Sequence, residues 1–551
     1  MKASDLFLKC LEAEGVDTIF GIPGEENADF MISLLDSPIE FVICRHEEAA
    51  AFMADMYGRM TGKPGVCLAT LGPGATNLTT GLGQANMDCS PVVGIIGQAG
   101  TYRLHKESHQ NMDAISMFKP LSKWATTVMA PDNIPEIVRK AFRLATSEKP
   151  GVTIIELPED IAKMNSDLEP IYGKAEVEKT GVDPNRVEAA LKLLAESSFP
   201  VLLVGLGCVR ALAKKEAEAF VDKSGIYAAS TFMGKGVVPI KNPHAFATVG
   251  LGARDLALEA FEKADLVITA GYDMVEWHPD RWNVGETKKI IHIDTQPAEV
   301  DQKYNIDVEI IGDIKTALSA LTAGLTADHT ARSDTYIETM SRVRKTMIAE
   351  LEEHNQDDGF PMKPQRILSD VRAVMGDDDI LISDVGAHKM WVARQYPAYE
   401  PGTCIISNGF CSMSGSVPGA MAAKRVYPDR NIVALCGDGG FMMNVQDLIT
   451  AVRYELPITV LLWVDDQFGL IKWKQETTFG KHSHIDLVNP DFVKLAEAFG
   501  WQPIDIKAAD QLIPAMEQAF KEKSKPTLVI VPVDYDENMK LTKRLGEIIA
   551  H

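Results

Sequence analysis

The chain contains 551 residues, of which 46% are hydrophobic and 24% are charged, and its formal net charge is −22. This length favours about three domains, and the negative charge argues against nucleic acid or an anionic membrane as the main partner. There is no long uninterrupted apolar stretch, and the N-terminal residues follow an amphipathic pattern, so neither a membrane span nor a signal peptide is expected. The cysteines form no CxxC pair, which is typical of buried thiols in a reducing compartment, and the cytoplasm is the expected location.

Short apolar runs alternate with helical patterns along the whole chain. The runs lack polar alternation, as do strands that are buried on both faces of a parallel sheet, and they predict α/β domains with helices on both faces. They read FVICRH, GVCLATLG, PVVGIIG, VTIIELP, PVLLVGLG, DLVITAGY, KIIHID, DILISDVG, NIVALCGDG, PITVLLWVDD and TLVIVPVD. Polar segments around 165–190 and 325–365 look like linkers, so we expect an N-terminal domain at 1–165, a central domain at 190–325 and a C-terminal domain at 365–540.

The first and third blocks contain a weak internal repeat. In each block a strand leads to a glycine turn, a helix, a proline and a second strand. Gly74 to Pro91 spans 17 positions, and Gly439 to Pro457 spans 18. The repeat predicts two related domains that face one ligand, although any two βαβ units can resemble each other by chance.

The strongest chemical signal is the run Gly437-Asp438-Gly439-Gly440, which is followed by a helix and by a strand that leads to Asp465. Two carboxylates at neighbouring carboxyl ends of a parallel sheet would repel each other unless a cation lay between them. Mg²⁺ suits such oxygen ligands and commonly bridges a protein carboxylate to phosphate. The alternative is that glycine and aspartate only form turns here.

A second glycine motif follows the run that ends at Val204. Gly205 and Gly207 begin a pattern like that of a dinucleotide fingerprint, but Arg210 replaces its third glycine. A partial motif of this kind is typical of an ordinary strand-to-helix turn, and a nicotinamide dehydrogenase is the other interpretation.

The run at 437–440, followed at this spacing by Asp465, resembles the signature of the thiamine-diphosphate enzymes. The resemblance extends over the whole chain and is nearest to the acetolactate synthase branch, in particular to its FAD-independent catabolic members. Four segments carry it, at 109–124, 271–283, 292–313 and 383–394. It implies two related thiamine-diphosphate-binding domains around a central Rossmann-like domain, with thiamine diphosphate and Mg²⁺ as cofactors and no FAD.

The resemblance also implies roles for individual residues. Glu47 matches the catalytic glutamate that hydrogen-bonds the aminopyrimidine ring, and Gln110 matches an active-site contact. Read without the family, Glu47 and Glu48 would only be acidic residues at a helix N-terminus. Met413 matches the bulky residue that bends the cofactor, although a lone methionine is usually core filler.

The remaining implied cofactor and metal residues fall in both outer domains. Asp438, Asp465 and the backbone carbonyl of Gln467 match the metal ligands. The cofactor contacts are Pro73, Asn77, Val385, Gly386, Ala387, His388, Cys411, Met413, Gly437, Asp438, Gly439, Gly440, Asp465, Gln467, Gly469 and Leu470.

The family's reaction is the decarboxylation of pyruvate and the ligation of the hydroxyethyl unit to a second pyruvate, which gives 2-acetolactate. The family's active site lies between subunits, so a homodimer is the expected minimum and a homotetramer the usual assembly. Three residues depart from the branch where substrate should bind, namely Glu25, His109 and Lys474. They leave open another thiamine-diphosphate decarboxylase or carboligase, with an oxalyl-CoA-like, sulfonated or aldehyde substrate. A non-catalytic homologue is the alternative outside enzymes.

Overall fold

The computed structural model of the protein describes residues 1–173, 179–250 and 257–538. Within these ranges, parallel strands form three six-stranded sheets, each flanked by helices. The predicted class of three α/β domains is therefore confirmed. Parts of the predicted first linker and of the predicted central block, at 174–178 and 251–256, lie outside the described residues, as do positions 539–540 of the predicted C-terminal block.

The N-terminal sheet has the strand order β2-β1-β3-β4-β6-β5. Its inner strands are buried along their whole length, in agreement with their unbroken apolar sequences. Its strands are β1 (Thr18–Gly21), β2 (Glu40–Ile43), β3 (Gly65–Ala69), β4 (Val92–Gln98), β5 (Trp124–Thr127) and β6 (Val152–Pro158). Its helices are α1 (Ala3–Ala13), α2 (Ala28–Ser33), α3 (Glu47–Thr61), α4 (Pro73–Asn77), α5 (Thr79–Met87), α6 (Ala114–Phe118), α7 (Ile134–Thr146) and α8 (Glu159–Lys163).

The central sheet has the order β12-β11-β10-β7-β8-β9, which is that of a Rossmann fold and confirms the predicted Rossmann-like domain. Its strands are β7 (Pro200–Val204), β8 (Tyr227–Ser230), β9 (Ala245–Thr248), β10 (Leu266–Ala270), β11 (Lys289–Asp294) and β12 (Val308–Ile311). Its helices are α9 (Pro184–Glu196), α10 (Leu206–Arg210), α11 (Lys214–Ser224), α12 (Leu258–Lys263), α13 (Ile314–Gly324), α14 (Ala327–Thr330) and α15 (Asp334–Glu352). Helix α15 packs on this sheet, because the ring of Tyr336 lies 4.8 Å from that of Phe199 and its hydroxyl donates to the carbonyl of Pro200.

The C-terminal sheet has the order β14-β13-β15-β16-β18-β17. Counted from its own first strand, this is the order of the N-terminal sheet, and the predicted repeat falls on the equivalent pairs β3–β4 and β15–β16. Its strands are β13 (Ile380–Ser383), β14 (Cys404–Ile406), β15 (Ile432–Gly437), β16 (Thr459–Val464), β17 (Gln502–Asp505) and β18 (Thr527–Pro532). Its helices are α16 (Pro364–Val374), α17 (Ala387–Gln395), α18 (Ser416–Val426), α19 (Asp438–Met443), α20 (Leu448–Arg453), α21 (Gly469–Phe479), α22 (Phe492–Ala498) and α23 (Leu512–Lys521).

The two outer domains of one chain share a hydrophobic core through α3 and α18. Small residues allow the helices to approach closely, since a Cβ added to Gly419 of α18 would lie 3.0 Å from the Met56 side chain of α3. Beside this contact, the backbone N–H of Arg45 donates to Asp447 at 2.8 Å. The start of α3, which carries Glu47, is therefore anchored to the C-terminal domain of its own chain.

No helix in the described part of the chain is both long and apolar enough to cross a membrane.

Candidate active site

Two aspartates emerge side by side at the carboxyl edge of the C-terminal sheet. Strand β15 ends at Gly437, its parallel neighbour β16 ends at Val464, and Asp438 and Asp465 follow directly. Burial, together with the charges of Asp438 and Asp466, raises the pKa of Asp465 to about 7. Burial also raises the pKa of Asp438. The electrostatic cost of this pair would be relieved by a cation between the two carboxylates.

Asp438 is held in place by three hydrogen bonds. Its Oδ1 accepts from the backbone N–H of Gly439 at 2.8 Å. Its Oδ2 accepts from the backbone N–H of Asp466 at 2.8 Å and from Nδ2 of Asn489 at 2.7 Å. Asp466 has a φ of +55°, and its own carboxylate accepts from Asn489 at 2.8 Å. The 465–466 turn and Asn489 therefore fix the Asp438 side chain before any ligand binds.

The described ranges hold no group of three or more His, Cys, Asp or Glu side chains arranged for a metal ion. Asp438 and Asp465 would thus provide only part of a coordination sphere. Mg²⁺ usually binds one or two protein carboxylates and completes its shell with phosphate oxygens and water. The two-carboxylate edge fits such an ion.

Two of the glycines at this edge are packed against carboxylates of the chain itself. A Cβ on Gly469 would lie 2.9 Å from Oδ2 of Asp465, and one on Gly440 would lie 2.2 Å from Oδ2 of Asp384. Gly439 and Gly440 are among the implied cofactor contacts. The structure gives Gly440 a further requirement, because a side chain there would displace a buried carboxylate.

The loop after β13 brings Val385, Gly386, Ala387 and His388 to the same edge. His388 is buried in the first turn of α17, beside Gly437, and burial lowers its pKa to about 4, so the ring is neutral at physiological pH. Its Nε2 has no hydrogen-bond partner within the described part of the chain. A ligand bound at this edge could form a hydrogen bond with this buried nitrogen atom.

Met413 lies half-buried in a strained turn between β14 and α18. Cys411 and Ser414 on either side of it have φ values of +57° and +76°. The backbone N–H of Ser414 donates to Asp384 at 3.0 Å, and its hydroxyl accepts from Asn444 at 2.9 Å. The turn is therefore fixed by buried polar contacts, and Met413 projects from it.

The predicted pyrimidine-side residues lie together in the N-terminal domain. Glu47 is buried at the first position of α3, and its Oε2 accepts from Nδ2 of Asn77 at 2.9 Å. Helix α4, which begins at Pro73, packs on Glu47, because a Cβ on Gly74 would lie 3.3 Å from its Oε1.

The loop that carries Gln110 contacts the turn that precedes α4. Gln110 has a φ of +56°, and its carbonyl lies 2.6 Å from the place of a Cβ on Gly72. Glu48 has a different environment: burial raises its pKa, and its carboxylate interacts with Asn444 of the C-terminal domain. Of the two neighbouring glutamates, only Glu47 contacts Asn77.

The three predicted substrate residues differ in their exposure. Glu25 and His109 are exposed, and Lys474 is partly buried on α21. Beside Glu25, the buried Glu26 accepts from the hydroxyl of Thr70 at 2.9 Å. Gln467 accepts through its side-chain oxygen from Lys472, and Leu470 lies one turn before Lys474 on the same helix.

Within the described residues, no hydrogen bond or ion pair joins the Glu47 group to the Asp438 group. The two groups of predicted site residues therefore lie in separate domains. Several residues that hold these two groups in place were not predicted. Asp384 ends an apolar run as Asp438 does, so the same rule could have found it, whereas Asn489 lies in a loop without a sequence signal.

Comparison with known proteins identifies the class. Profiles of the thiamine pyrophosphate (thiamine diphosphate) enzymes match at 1–117 with the N-terminal TPP binding domain, at 187–321 with the central domain and at 384–531 with the C-terminal TPP binding domain. The chain therefore belongs to the thiamine pyrophosphate enzymes, as the resemblance implied.

Within that class, its full-length relatives include acetolactate synthases. The acetolactate synthase of Bacillus subtilis is 32% identical, covering 100% of this chain and 97% of the relative. A probable acetolactate synthase large subunit of Methanocaldococcus jannaschii is 34% identical, covering 100% and 94%. A catabolic acetolactate synthase of Raoultella terrigena is 33% identical, covering 98% and 97%.

Proposed function

We propose that the protein is an acetolactate synthase. It decarboxylates pyruvate and ligates the hydroxyethyl unit to a second pyruvate, which gives 2-acetolactate. The observation that carries this proposal is similarity to acetolactate synthases over the whole chain. The acidic strand ends and the buried glutamate of the two outer domains support it.

Thiamine diphosphate, when bound, supplies the electron sink for decarboxylation. Asp438, Asp465 and the carbonyl of Gln467 would hold Mg²⁺, which would join the diphosphate to the C-terminal sheet. The loop at Val385–His388 and the glycines at 437, 439, 440 and 469 would line the diphosphate, together with Leu470. The raised pKa of Asp465 supports this assignment, because the pair lacks the positive charge that would stabilise its ionised form.

Glu47 would bind the pyrimidine ring and move a proton at its ring nitrogen. Its hydrogen bond from Asn77 fixes the direction of the carboxyl group before the cofactor arrives. Pro73 and Gln110 would complete this side of the pocket. Met413 and the adjacent Cys411 would support the bent cofactor from the strained turn, since a rigid turn holds a wedge better than a flexible one.

Acceptor binding would involve Glu25, His109 and Lys474. A lysine on α21, which begins four residues after Asp465, suits the carboxylate of a second 2-keto acid. Glu25 is exposed, so it would contact substrate only when other groups close over the site.

We further propose a cytoplasmic homodimer as the minimum active unit, with a homotetramer as the full assembly and with each site shared between subunits. The proposed domain limits are 1–165, 190–325 and 365–540. The polar acidic surface that a net charge of −22 implies is compatible with a protein that remains in solution at high concentration.

The test is to incubate purified protein with thiamine diphosphate, Mg²⁺ and pyruvate and to identify the product by NMR. Acetolactate is the expected product, and Asp438→Asn should abolish its formation. Release of acetaldehyde alone would show decarboxylation without ligation, and no turnover of pyruvate would reject pyruvate as the donor; either result contradicts the proposal.

A further inference from the structure

The glycine turn of the central domain lies where Rossmann domains bind phosphate. Strand β7 ends at Val204, Gly205 follows, and α10 begins at Leu206. β7 and β10 are the neighbours at which the strand order of the sheet reverses. In open parallel sheets the ligand crevice lies at this reversal, beyond the carboxyl ends of the strands, and a dinucleotide pyrophosphate contacts the turn after the first strand.

In this protein a carboxylate of the chain already occupies that turn. Glu276 is 2% exposed, and both of its carboxylate oxygens accept from the backbone N–H of Leu206, at 3.1 and 3.2 Å. The hydroxyl of Thr231 donates to it at 2.5 Å, and the backbone N–H of Asp273 donates at 3.1 Å. A buried carboxyl group with these donors has the hydrogen-bonding pattern of a bound phosphate oxygen pair.

The glycines of the turn are explained by this arrangement. A Cβ on Gly205 would lie 2.7 Å from Oε1 of Glu276 and 2.5 Å from the carbonyl of Gly271. A Cβ on Gly207 would lie 2.6 Å from Cα of Gly271. Both glycines therefore serve close packing of the turn on residues 271–276, and neither provides space for a ligand.

Ion pairs close the outer part of the same crevice. Arg210 pairs with Glu148 at 3.1 Å, and Lys149 pairs with Asp273 at 2.6 Å, so both contacts join the N-terminal domain to the central domain. The cavity that remains between them measures about 10 Å³, which is the space of a single water molecule.

We propose that the buried carboxyl group of Glu276 takes the place of a ligand phosphate and closes the central domain to adenine dinucleotides, FAD included. The turn then serves as a structural anchor. Removal of the Glu276 carboxyl group should convert the turn into a site for phosphate-bearing ligands, because the donors at Leu206, Asp273 and Thr231 would then have no acceptor.

The experiment compares wild type with Glu276→Ser, both saturated with thiamine diphosphate and Mg²⁺ so that the diphosphate site of the C-terminal domain is filled. ADP and inorganic phosphate are the probes, and calorimetry and thermal shift are the readouts. Wild type should bind neither probe, and E276S should bind inorganic phosphate at least about tenfold more tightly than wild type. The result does not depend on which keto acid the enzyme uses, so it is separable from the proposed function.

Glu156→Ser is the matched control. Glu156 is 3% exposed and accepts from the side chains of Thr127 and Gln98, but it contacts no glycine turn. E156S should lose stability without gaining affinity for phosphate. The proposal is overturned if wild type binds ADP or phosphate as tightly as E276S binds phosphate, or if folded E276S binds phosphate no better than E156S does.

If E276S is recovered only as aggregate, its refolding yield becomes the readout. Phosphate should then raise the yield of E276S several-fold and leave that of E156S unchanged. Equal yields of E276S with and without phosphate would contradict the proposal.

Discussion

Glu47 and Glu48 are adjacent in the sequence but differ in what their carboxylates contact. Glu47 accepts a hydrogen bond from Asn77 within its own domain, whereas Glu48 interacts with Asn444 across the domain boundary. We therefore expect Glu47→Gln to lower kcat by about 10²–10⁴-fold, the range for loss of a positioned acid–base group. Affinity for thiamine diphosphate should change much less. Steady-state kinetics of E47Q beside E48Q measure the difference, and equal losses in the two variants would contradict the assignment.

Glu276 should give the protein a recognisable dependence of stability on pH. Burial raises its pKa from 4.5 to about 7. Between these two pH values the carboxyl group is therefore mostly protonated in the folded state and mostly ionised in the unfolded state. The stability that comes from this proton is complete below about pH 4.5 and is lost as the pH rises towards 7. Glu276→Gln cannot titrate and keeps the side-chain volume.

Between pH 5 and 8 the wild type should therefore lose about 2–3 kcal/mol relative to E276Q. The measurement is the Tm of both proteins across this range, and the Tm of wild type should fall by several degrees relative to that of E276Q. Other titrating groups cancel in the comparison, because both proteins contain them. A Tm difference that does not change with pH would show that Glu276 ionises at its ordinary pKa.

The site residues that could be predicted from the sequence are those that follow apolar runs. Asp438 and Asp465 each come directly after a predicted strand, and parallel strands end at one edge, so their proximity follows from the pattern. Glu276 and Asn489 have no such signal. Each lies in an irregular segment, and its hydrogen bonds join residues far apart in the sequence, which no local period encodes.

At the scale of elements, the segment 407–415 between β14 and α18 is held by all three domains. From the C-terminal domain, Nζ of the buried Lys389 donates to Oδ1 of Asn408 and to Sγ of Cys411. From the central domain, the backbone carbonyl of Glu276 accepts a hydrogen bond from Nδ2 of Asn408 at 2.9 Å. From the N-terminal domain, the carboxylate of Asp88 accepts a hydrogen bond from the backbone N–H of Gly409. The segment that carries Met413 is thus fixed at several points.

Asn408→Ala should release two of these contacts at once. Without the amide, Lys389 loses one of its two acceptors and the central domain loses its contact with the turn, so Met413 becomes less well ordered. Cofactor affinity should fall by about tenfold, because the protein must then order the turn on binding. Titration of tryptophan fluorescence with thiamine diphosphate measures this.

Asn305→Ala is the control for the Asn408 variant. Asn305 is exposed, and its amide donates to the carbonyl of Gln302 within the same loop. N305A should bind the cofactor as wild type does. An unchanged affinity in N408A would mean that the cofactor itself orders the turn without help from the central domain.

The predicted strands, apart from the edge strand β2, are those buried on both faces, and the missed ones lie mostly at sheet edges. β3, β7 and β15 appear as unbroken apolar runs because neighbours cover both of their faces. The edge strands β5 and β17 are half-buried at every position. Their residues meet core on one side and solvent on the other, so their sequences lack the continuous apolar run, and their existence depends on pairing with β6 and β18.

At the scale of the whole molecule, the outer domains pack through α3 and α18, while no hydrogen bond or ion pair of the described residues joins the Glu47 group to the Asp438 group. The anchoring of Arg45 to Asp447 fixes the start of α3 relative to the C-terminal sheet of the same chain. Glu47 contacts Asn77, and Asp438 contacts Asn489, each within its own domain. If each site is shared as proposed, two copies related by a two-fold axis would form two equivalent sites, because the same pair of surfaces meets twice across such an interface.

This arrangement predicts complementation between two inactive variants. Glu47→Gln disables the pyrimidine side and Asp438→Asn disables the metal side, so each homodimer is inactive. In a heterodimer of the two, sites shared between chains sort into one with both defects and one with neither. Co-expression with different tags allows the heterodimer to be purified, and it should show about half of the wild-type activity. Sites contained within one chain would leave every site in that heterodimer with one defect. Activity no higher than that of the parent variants would therefore reject the shared site. The Glu47 group and the Asp438 group would then have to meet by movement of the two outer domains within one chain.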